Sequence, residues 1–270
     1  MHSNDPHPAA DLIDLKRYPI ADLQTEAAQA LVAECQAQLK QAGACALPGF
    51  LRPETAATLA SEMLALRAQA FEQEQQHNVY FKRDDPTLPA DHPRHRKVRT
   101  SQKALAHDLI PPQSGVHQIY NWPKLREFVA AIVGQPMLYL NADPLAALNV
   151  MALEDGDELG WHYDRPDFVT TLLLQRPEAG GNFEFVHNLR GLGDENYAGL
   201  AQLLDGEHPG VVSRPGRAGT LTLFAGHYSI HRVSMAHGPN PRLVAVLSYE
   251  IEPGVMFSEA ARTGFYGRPN

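Results

Sequence analysis

The second half of the chain alternates short apolar runs with turn residues, and this pattern limits the fold more than any other feature. The runs Met137–Leu140, Leu145–Leu153, Phe168–Gln175, Asn182–Val186, Val211–Ser213, Thr220–Ala225 and Leu243–Ile251 are rich in strand formers. Gly, Pro, Asp and Asn separate them. Among these runs one segment, Asp194 to Leu204, reads as helical. A parallel α/β sheet needs a helical crossover between successive strands, which most of these gaps lack. The pattern predicts a mainly β fold with flanking helices: a double-stranded β-helix, or jelly roll, over 135–268.

The first half reads as support for that barrel. Residues 1–20 form a polar lead-in interrupted by Pro6, Pro8 and Pro19. Leu23, Ala27, Leu31, Cys35 and Leu39 recur every fourth residue up to Gly43, predicting a helix over 21–42. Ala44 to Phe50 reads as a short strand. A second helix opens at Pro53 with the stripe Ala56, Leu59, Met63, Leu66 and Ala70, and a third spans Asn121 to Val133. Between them, His77 to Lys103 lacks periodicity and holds Pro86, Pro89 and Pro93, so it is expected to be a long irregular loop walling the site. Its basic cluster, Arg94, Arg96 and Lys97, fits a solvated face, whereas Arg99 is expected to point inward. The whole, 1–270, is expected to be one domain, with 1–134 as helical support and substrate loop.

Within the β-rich half, Trp161-His162-Tyr163-Asp164 and Ile230-His231-Arg232-Val233 stand out. On extended backbone, side chains two apart share a face, so His162 and Asp164 project together. His231 can join them from a distant strand. Two histidines and one carboxylate are the facial triad that holds Fe(II) with positions open for O2 and a co-substrate. Gly156 and Gly160 permit a tight turn into the pair. Arg242, ahead of the apolar run Leu243–Leu247, suits the distal carboxylate of 2-oxoglutarate, since a planar guanidinium matches a carboxylate bidentately.

Other histidines fit less well. His227 and His231 have the spacing of a helical zinc pair, but Tyr228 stands where the hydrolase glutamate belongs and Gly226 argues against a helix. His237 lies in a Gly/Pro/Asn turn, and His92, His95 and His187 lack partners at useful spacing. Arg232, adjacent to His231, should face the opposite way.

The runs Leu159–Asp164, Thr171–Gln175, Gly180–Phe185, Ser229–Val233, Pro253–Met256 and Phe265–Arg268 resemble the family of free-amino-acid radical halogenases and hydroxylases typified by BesD. The resemblance covers roughly His77 to Arg268. It implies a jelly roll, Fe(II), 2-oxoglutarate, O2 and a free amino acid substrate, lysine or another. Halogenases of this family carry a small residue where Asp164 stands, so the resemblance points to the hydroxylase branch. Arg165, directly after Asp164, departs from a pocket shaped for a lysine ammonium. Arg99 is the candidate for the substrate carboxylate and Asp143 for its amine, with Trp161 and Arg165 as further pocket residues. For Asp143, capping the turn before Pro144 is an equally good reading. For Trp161, packing in the core is the favoured one.

The net charge of −8 disfavours nucleic acid or an anionic membrane as main partner, since both attract basic surfaces. Cys35 and Cys45 are the chain's two cysteines, as expected of a reduced cytoplasmic protein. Met1 to Pro8 is too polar for a secretion signal, and no apolar run approaches the ~20 residues of a membrane span. The expected partner is a small molecule. The alternatives are an oxygenase of another small molecule or of a macromolecule, a radical halogenase, and a non-catalytic cupin-like metal-binding protein.

Overall fold

Helix packing begins at the first described residues: in the computed structural model, which describes residues 7–270, a one-turn helix α1 (Ala9–Leu12) docks on the body of the protein. Residues 1–6, where much of the polar lead-in and most of the Met1–Pro8 stretch fall, lie outside the described residues. The remainder of the lead-in is more ordered than its prolines suggest, because Ile13, Tyr18 and Ile20 are buried and Ile13 bridges to Leu51.

Helix α2 (Glu26–Ala42) starts later than the apolar stripe, at the point where the Thr25 hydroxyl accepts from the Ala28 amide. It ends at Gly43, whose φ of 70° is the left-handed cap that glycine adopts most easily. Strand β1 (Ala44–Leu47) follows, then α3 (Pro53–Leu66), with proline in its first turn and Ala56, Leu59 and Met63 buried.

Two strands flank the expected loop and take its two ends. β2 (Phe71–His77) and β3 (Val98–Leu105) pair antiparallel from Phe71↔Ala104 to His77↔Val98, leaving residues 78–97 as the irregular part. The sequence of β2 hid it: Glu72, Glu74 and Gln76 are exposed, while Gln73 and His77 on the other face are buried. Polar residues on both faces blur the period-two signal, and charges suit an edge strand. A short helix α4 (Gly115–Asn121), absent from the sequence pattern, precedes the third predicted helix, which forms as α5 (Pro123–Ile132) with Trp122-Pro123 at its start.

The chain then lays down β4 (Tyr139–Leu140), β5 (Leu148–Leu153), β6 (Leu159–His162), β7 (Val169–Gln175), β8 (Ala179–Gly180) and β9 (Phe183–Val186). Helix α6 (Tyr197–Leu204) fills the segment read as helical. After it come β10 (Val212–Arg214), β11 (Thr220–Phe224), β12 (Ile230–Val233), β13 (Ala236–His237), β14 (Arg242–Leu247), β15 (Tyr249–Glu250) and a C-terminal helix, α7 (Glu259–Tyr266), absent from the sequence reading.

Two antiparallel sheets face one another as a jelly roll. The larger has the order β1-β11-β7-β14-β5-β3-β2 and the smaller β10-β9-β12-β6. Four strands of each (β11, β7, β14, β5 against β10, β9, β12, β6) make the barrel, and β3 and β2 extend the larger sheet. The larger sheet's outer face carries Leu172, Leu174, Leu221, Leu223, Leu243, Ala245 and Leu247, packed in one core with α3 and α5. Burial against the helices therefore fixes which residues turn inward. Among the described residues, no helix is long and apolar enough to cross a membrane.

Candidate active site

β6 and β12 are antiparallel neighbours with His162 directly opposite His231. Their ring centroids lie 4.1 Å apart. Asp164, two residues past His162, shares its face and returns over the pair. Its Oδ1 is 3.7 Å from His162 Nε2 and its Oδ2 3.4 Å from His231 Nε2. One ligand atom from each residue falls within 4.8 Å of the others, and no other such group of three occurs among the described residues.

Backbone carbonyls set the tautomers. His162 Nδ1 donates to Gly160 O at 2.8 Å, and His231 Nδ1 donates to Ser229 O at 3.1 Å. Both Nε2 lone pairs are left pointing at the carboxylate, the orientation in which imidazole binds a metal. Burial, then the neighbouring His231, push the His162 pKa down to about 3, so its ring is neutral and ligand-ready. Burial pushes the Asp164 carboxyl up, but His231 and His162 together outweigh it and hold the carboxyl below its usual range. Two imidazoles and one carboxylate suit a first-row divalent ion.

Asp164 fits only because residue 226 is glycine. The Asp164 amide donates to Gly226 O at 3.1 Å. A Cβ at 226 would stand 2.6 Å from Asp164 Cγ and collide with Oδ2. Aromatic rings enclose the histidines: Phe224 and Phe183 lie 4.7 and 5.7 Å from the His231 ring, and Phe81 lies 5.6 Å from the His162 ring. Phe81 takes a φ of 50°, unusual for a bulky residue, and stacks on His77 at 3.9 Å. His77 was not singled out from sequence. Its Nε2 accepts from the Thr100 hydroxyl at 2.7 Å, and Thr100 Oγ1 accepts from the Gly160 amide at 3.0 Å. A hydrogen-bonded chain thus runs from His77 through Thr100 and Gly160 to the ligand His162.

Arg242 opens β14 at the other end of the barrel, on the inward face, where it sits opposite Leu153. Its side chain is buried, and burial pushes its pKa down to about 10. Among the described residues its guanidinium has neither a hydrogen bond nor a carboxylate partner. A buried, unpaired cation is costly, and an anionic ligand relieves that cost.

The remaining predicted residues fall elsewhere. Arg99 points away from the site: its guanidinium bonds Gly156 O and Glu74 and pairs with Glu158. Strand alternation turns its neighbour Thr100 inward instead. Asp143 faces no substrate space, being wholly buried and accepting from the Leu145, Ala146 and Phe257 amides, which makes it a turn cap. Trp161 packs on the outer face with Val79, Tyr163 and Ile230, under the Arg232 guanidinium. Arg165 is exposed, its carbonyl accepting from His227 Nδ1. Of the basic cluster, Arg96 pairs with Asp205 and Lys97 with Asp84, both partly exposed.

The family model described as Halogenase D matches residues 27–259. No curated protein matches the chain. Among solved structures, a 2OG-Fe(II) oxygenase family oxidoreductase from Burkholderia pseudomallei is 16% identical, with TM-score 0.52 over 83% of this chain and 92% of that one. The non-haem alpha-ketoglutarate-dependent epimerase SnoN from nogalamycin biosynthesis is 17% identical, with TM-score 0.54 over 82% and 81%. HygX from Streptomyces hygroscopicus, solved with nickel and 2-oxoglutarate bound, is 15% identical, with TM-score 0.53 over 80% and 86%. At these identities the likeness shows the fold, a jelly roll shared with 2-oxoglutarate oxygenases.

Proposed function

The chain belongs to the Halogenase D family, and from that premise we propose that it is an Fe(II)- and 2-oxoglutarate-dependent hydroxylase of a free amino acid. Fe(II), 2-oxoglutarate and O2 together supply the oxidising power to hydroxylate an unactivated C–H bond, with succinate and CO2 as co-products. The residues present fit that set. His162, Asp164 and His231 offer three ligand atoms within 4.8 Å of one another, the donor set that would hold Fe(II) facially and leave other positions open. Arg242, without a carboxylate partner among the described residues, would hold the distal carboxylate of 2-oxoglutarate. The HygX structure contains 2-oxoglutarate in the same fold, which supports the reading.

The chain's own residues bind, orient and exclude water. The Gly160 and Ser229 carbonyls keep each Nδ1 protonated, so both imidazoles present the same donor atom throughout turnover. Phe81, Phe183 and Phe224 keep bulk water from the reacting centre. Arg242 would fix one end of the co-substrate at the far end of the barrel, away from the end at which β6 finishes and β12 begins.

One observation carries hydroxylation over halogenation: Asp164 is a carboxylate set 3.4–3.7 Å from both histidine Nε2 atoms. The position a halide would take is filled by protein. The test is aerobic incubation with Fe(II), 2-oxoglutarate, ascorbate and chloride against a panel of free amino acids, read by product mass and succinate. One amino acid gaining a single oxygen supports the proposal. A chlorinated product overturns the role given to Asp164, and a panel left unchanged overturns the free amino acid as substrate.

A further inference from the structure

A second arginine resembles Arg242 in one respect: among the described residues, its guanidinium makes no hydrogen bond. Arg262, on α7, has a side chain only 13% exposed, and its Nε is buried without a hydrogen-bond partner. The nearest carboxylate oxygen, Asp143 Oδ2, is 3.7 Å from Nε, beyond hydrogen-bond reach. Asp143 already accepts from the Leu145, Ala146 and Phe257 amides. It therefore supplies Arg262 with a counter-charge and no hydrogen bond. Among the described residues, none accepts from the Arg262 guanidinium.

Arg262 stands at the mouth of the barrel. β5 runs antiparallel to β14, and Arg242 faces Leu153 at the far end of β5. Asp143, the companion of Arg262, lies in the segment just ahead of Leu148, at the near end. At about 3.3 Å per residue, β5 separates the two levels by roughly 15–20 Å. The near end is also where β6 ends in the metal ligands and β12 begins. α7 packs over β2 and β3 there. One turn beyond Arg262, the Phe265 ring is 6.4 Å from Phe81, whose ring is 5.6 Å from His162. The helix bearing Arg262 is thus a wall of the space above the ligands.

We propose that Arg262 grips the carboxylate of the substrate, the role expected of Arg99 before the structure turned Arg99 outward. The proposal rests on the free amino acid reading and names the residue that would recognise the amino acid's α-carboxylate. A planar fork that no described residue accepts from, with Asp143 as its nearby counter-charge, matches one carboxylate bidentately. Gln73, Gln102 and Asn149, buried on the larger sheet, are uncharged, so none of them competes for that anion.

The test is binding to the full chain, read as ligand-induced thermal shift for a panel of free amino acids and their methyl esters. Arg262→Met keeps the packing of the apolar stem, and Arg262→Lys keeps the charge but not the fork. The wild type is expected to respond to an acid and not to its ester. Arg262→Met should raise the Kd of that acid about 10–100-fold, with Arg262→Lys between the two. 2-Oxoglutarate binding should survive Arg262→Met and fail in Arg242→Met. Equal responses to acid and ester, or to the acid in wild type and Arg262→Met, overturn the assignment. So does a wild type that binds 2-oxoglutarate but responds to no amino acid. A wild type that binds no 2-oxoglutarate sinks the oxygenase reading instead, while the acid–ester contrast still decides Arg262.

Discussion

Gly226→Ala isolates the fit between Asp164 and the backbone beneath it. Gly226 does not occupy the left-handed region, so alanine brings no backbone strain there, only one methyl group. That methyl would lie 2.6 Å from Asp164 Cγ and 2.9 Å from its Cβ. Ordinary carbon contacts begin near 3.5 Å, so the carboxylate must retreat by about 1 Å. Overpacking of this kind costs about 1–3 kcal/mol. If Asp164 yields, that cost falls on the metal site, and at about 1.4 kcal/mol per tenfold it predicts a roughly 10–100-fold weaker Kd for Fe(II). The assay is anaerobic Fe(II) titration calorimetry on wild type, Gly226→Ala, Asp164→Ala and the double variant. In the Asp164→Ala background the extra methyl has nothing to strike. Gly226→Ala should then change affinity by less than about 0.5 kcal/mol. An unchanged Kd in the single variant, or an equal loss with and without Asp164, refutes the reasoning.

Three other outcomes are expected. Arg242→Met should raise the 2-oxoglutarate requirement by at least about tenfold while leaving Fe(II) affinity near wild type, measured by succinate release and metal titration. Thr100→Val cuts the hydrogen-bonded chain from His77 to Gly160 while conserving shape, and a loss of about 1–3 kcal/mol in denaturant unfolding with weakened Fe(II) binding is expected. For the metal-free protein, His162 holds a folded pKa of about 3 against an ordinary 6.5. The unfolded chain therefore binds the extra proton between those values. This stability is fully present above pH 6.5 and falls by about 1.4 kcal/mol per unit as pH drops toward 3. His162→Gln should flatten that part of the profile, as followed by thermal unfolding against pH.

The metal ligands were legible because their geometry follows from period two. His162 and Asp164 share a face on any extended backbone, and the turn pattern after Gly134 demanded antiparallel strands that could bring His231 alongside. Arg99 failed for the same reason in reverse. It and Thr100 are neighbours on β3, so choosing between them is a choice of strand parity, and the polar sequence around them does not reveal it. β2 went unread because Gln73 and His77 face inward while Glu72, Glu74 and Gln76 face water, leaving no apolar alternation. Asp143 resolved in favour of the turn, since an Asp before Pro144 can satisfy local amides without any ligand. Arg262 could have been noticed only as a cation amid Phe257, Phe265 and Tyr266. That cluster takes shape once α7 folds back over the barrel.

Charge around the cavity bears on which amino acid the proposed hydroxylase would take. Asp164 and Asp143 contribute two negative charges and Arg242 and Arg262 two positive ones, while burial keeps His162 and His77 neutral. Protein groups alone therefore balance. Fe(II) adds two positive charges, and dianionic 2-oxoglutarate cancels them. A zwitterionic amino acid with an uncharged side chain preserves this neutrality, whereas a lysine side chain would add one positive charge. At an effective dielectric of about 20, a charge 8 Å away interacts by roughly 2 kcal/mol, enough to favour one amino acid over another by more than tenfold. Gln73, Gln102 and Asn149, buried on the larger sheet, bring no carboxylate for an ammonium. On this argument amino acids with neutral side chains should outcompete lysine in the panel, and a preference for lysine would mean that an acidic residue reaches the mouth from the 78–97 loop.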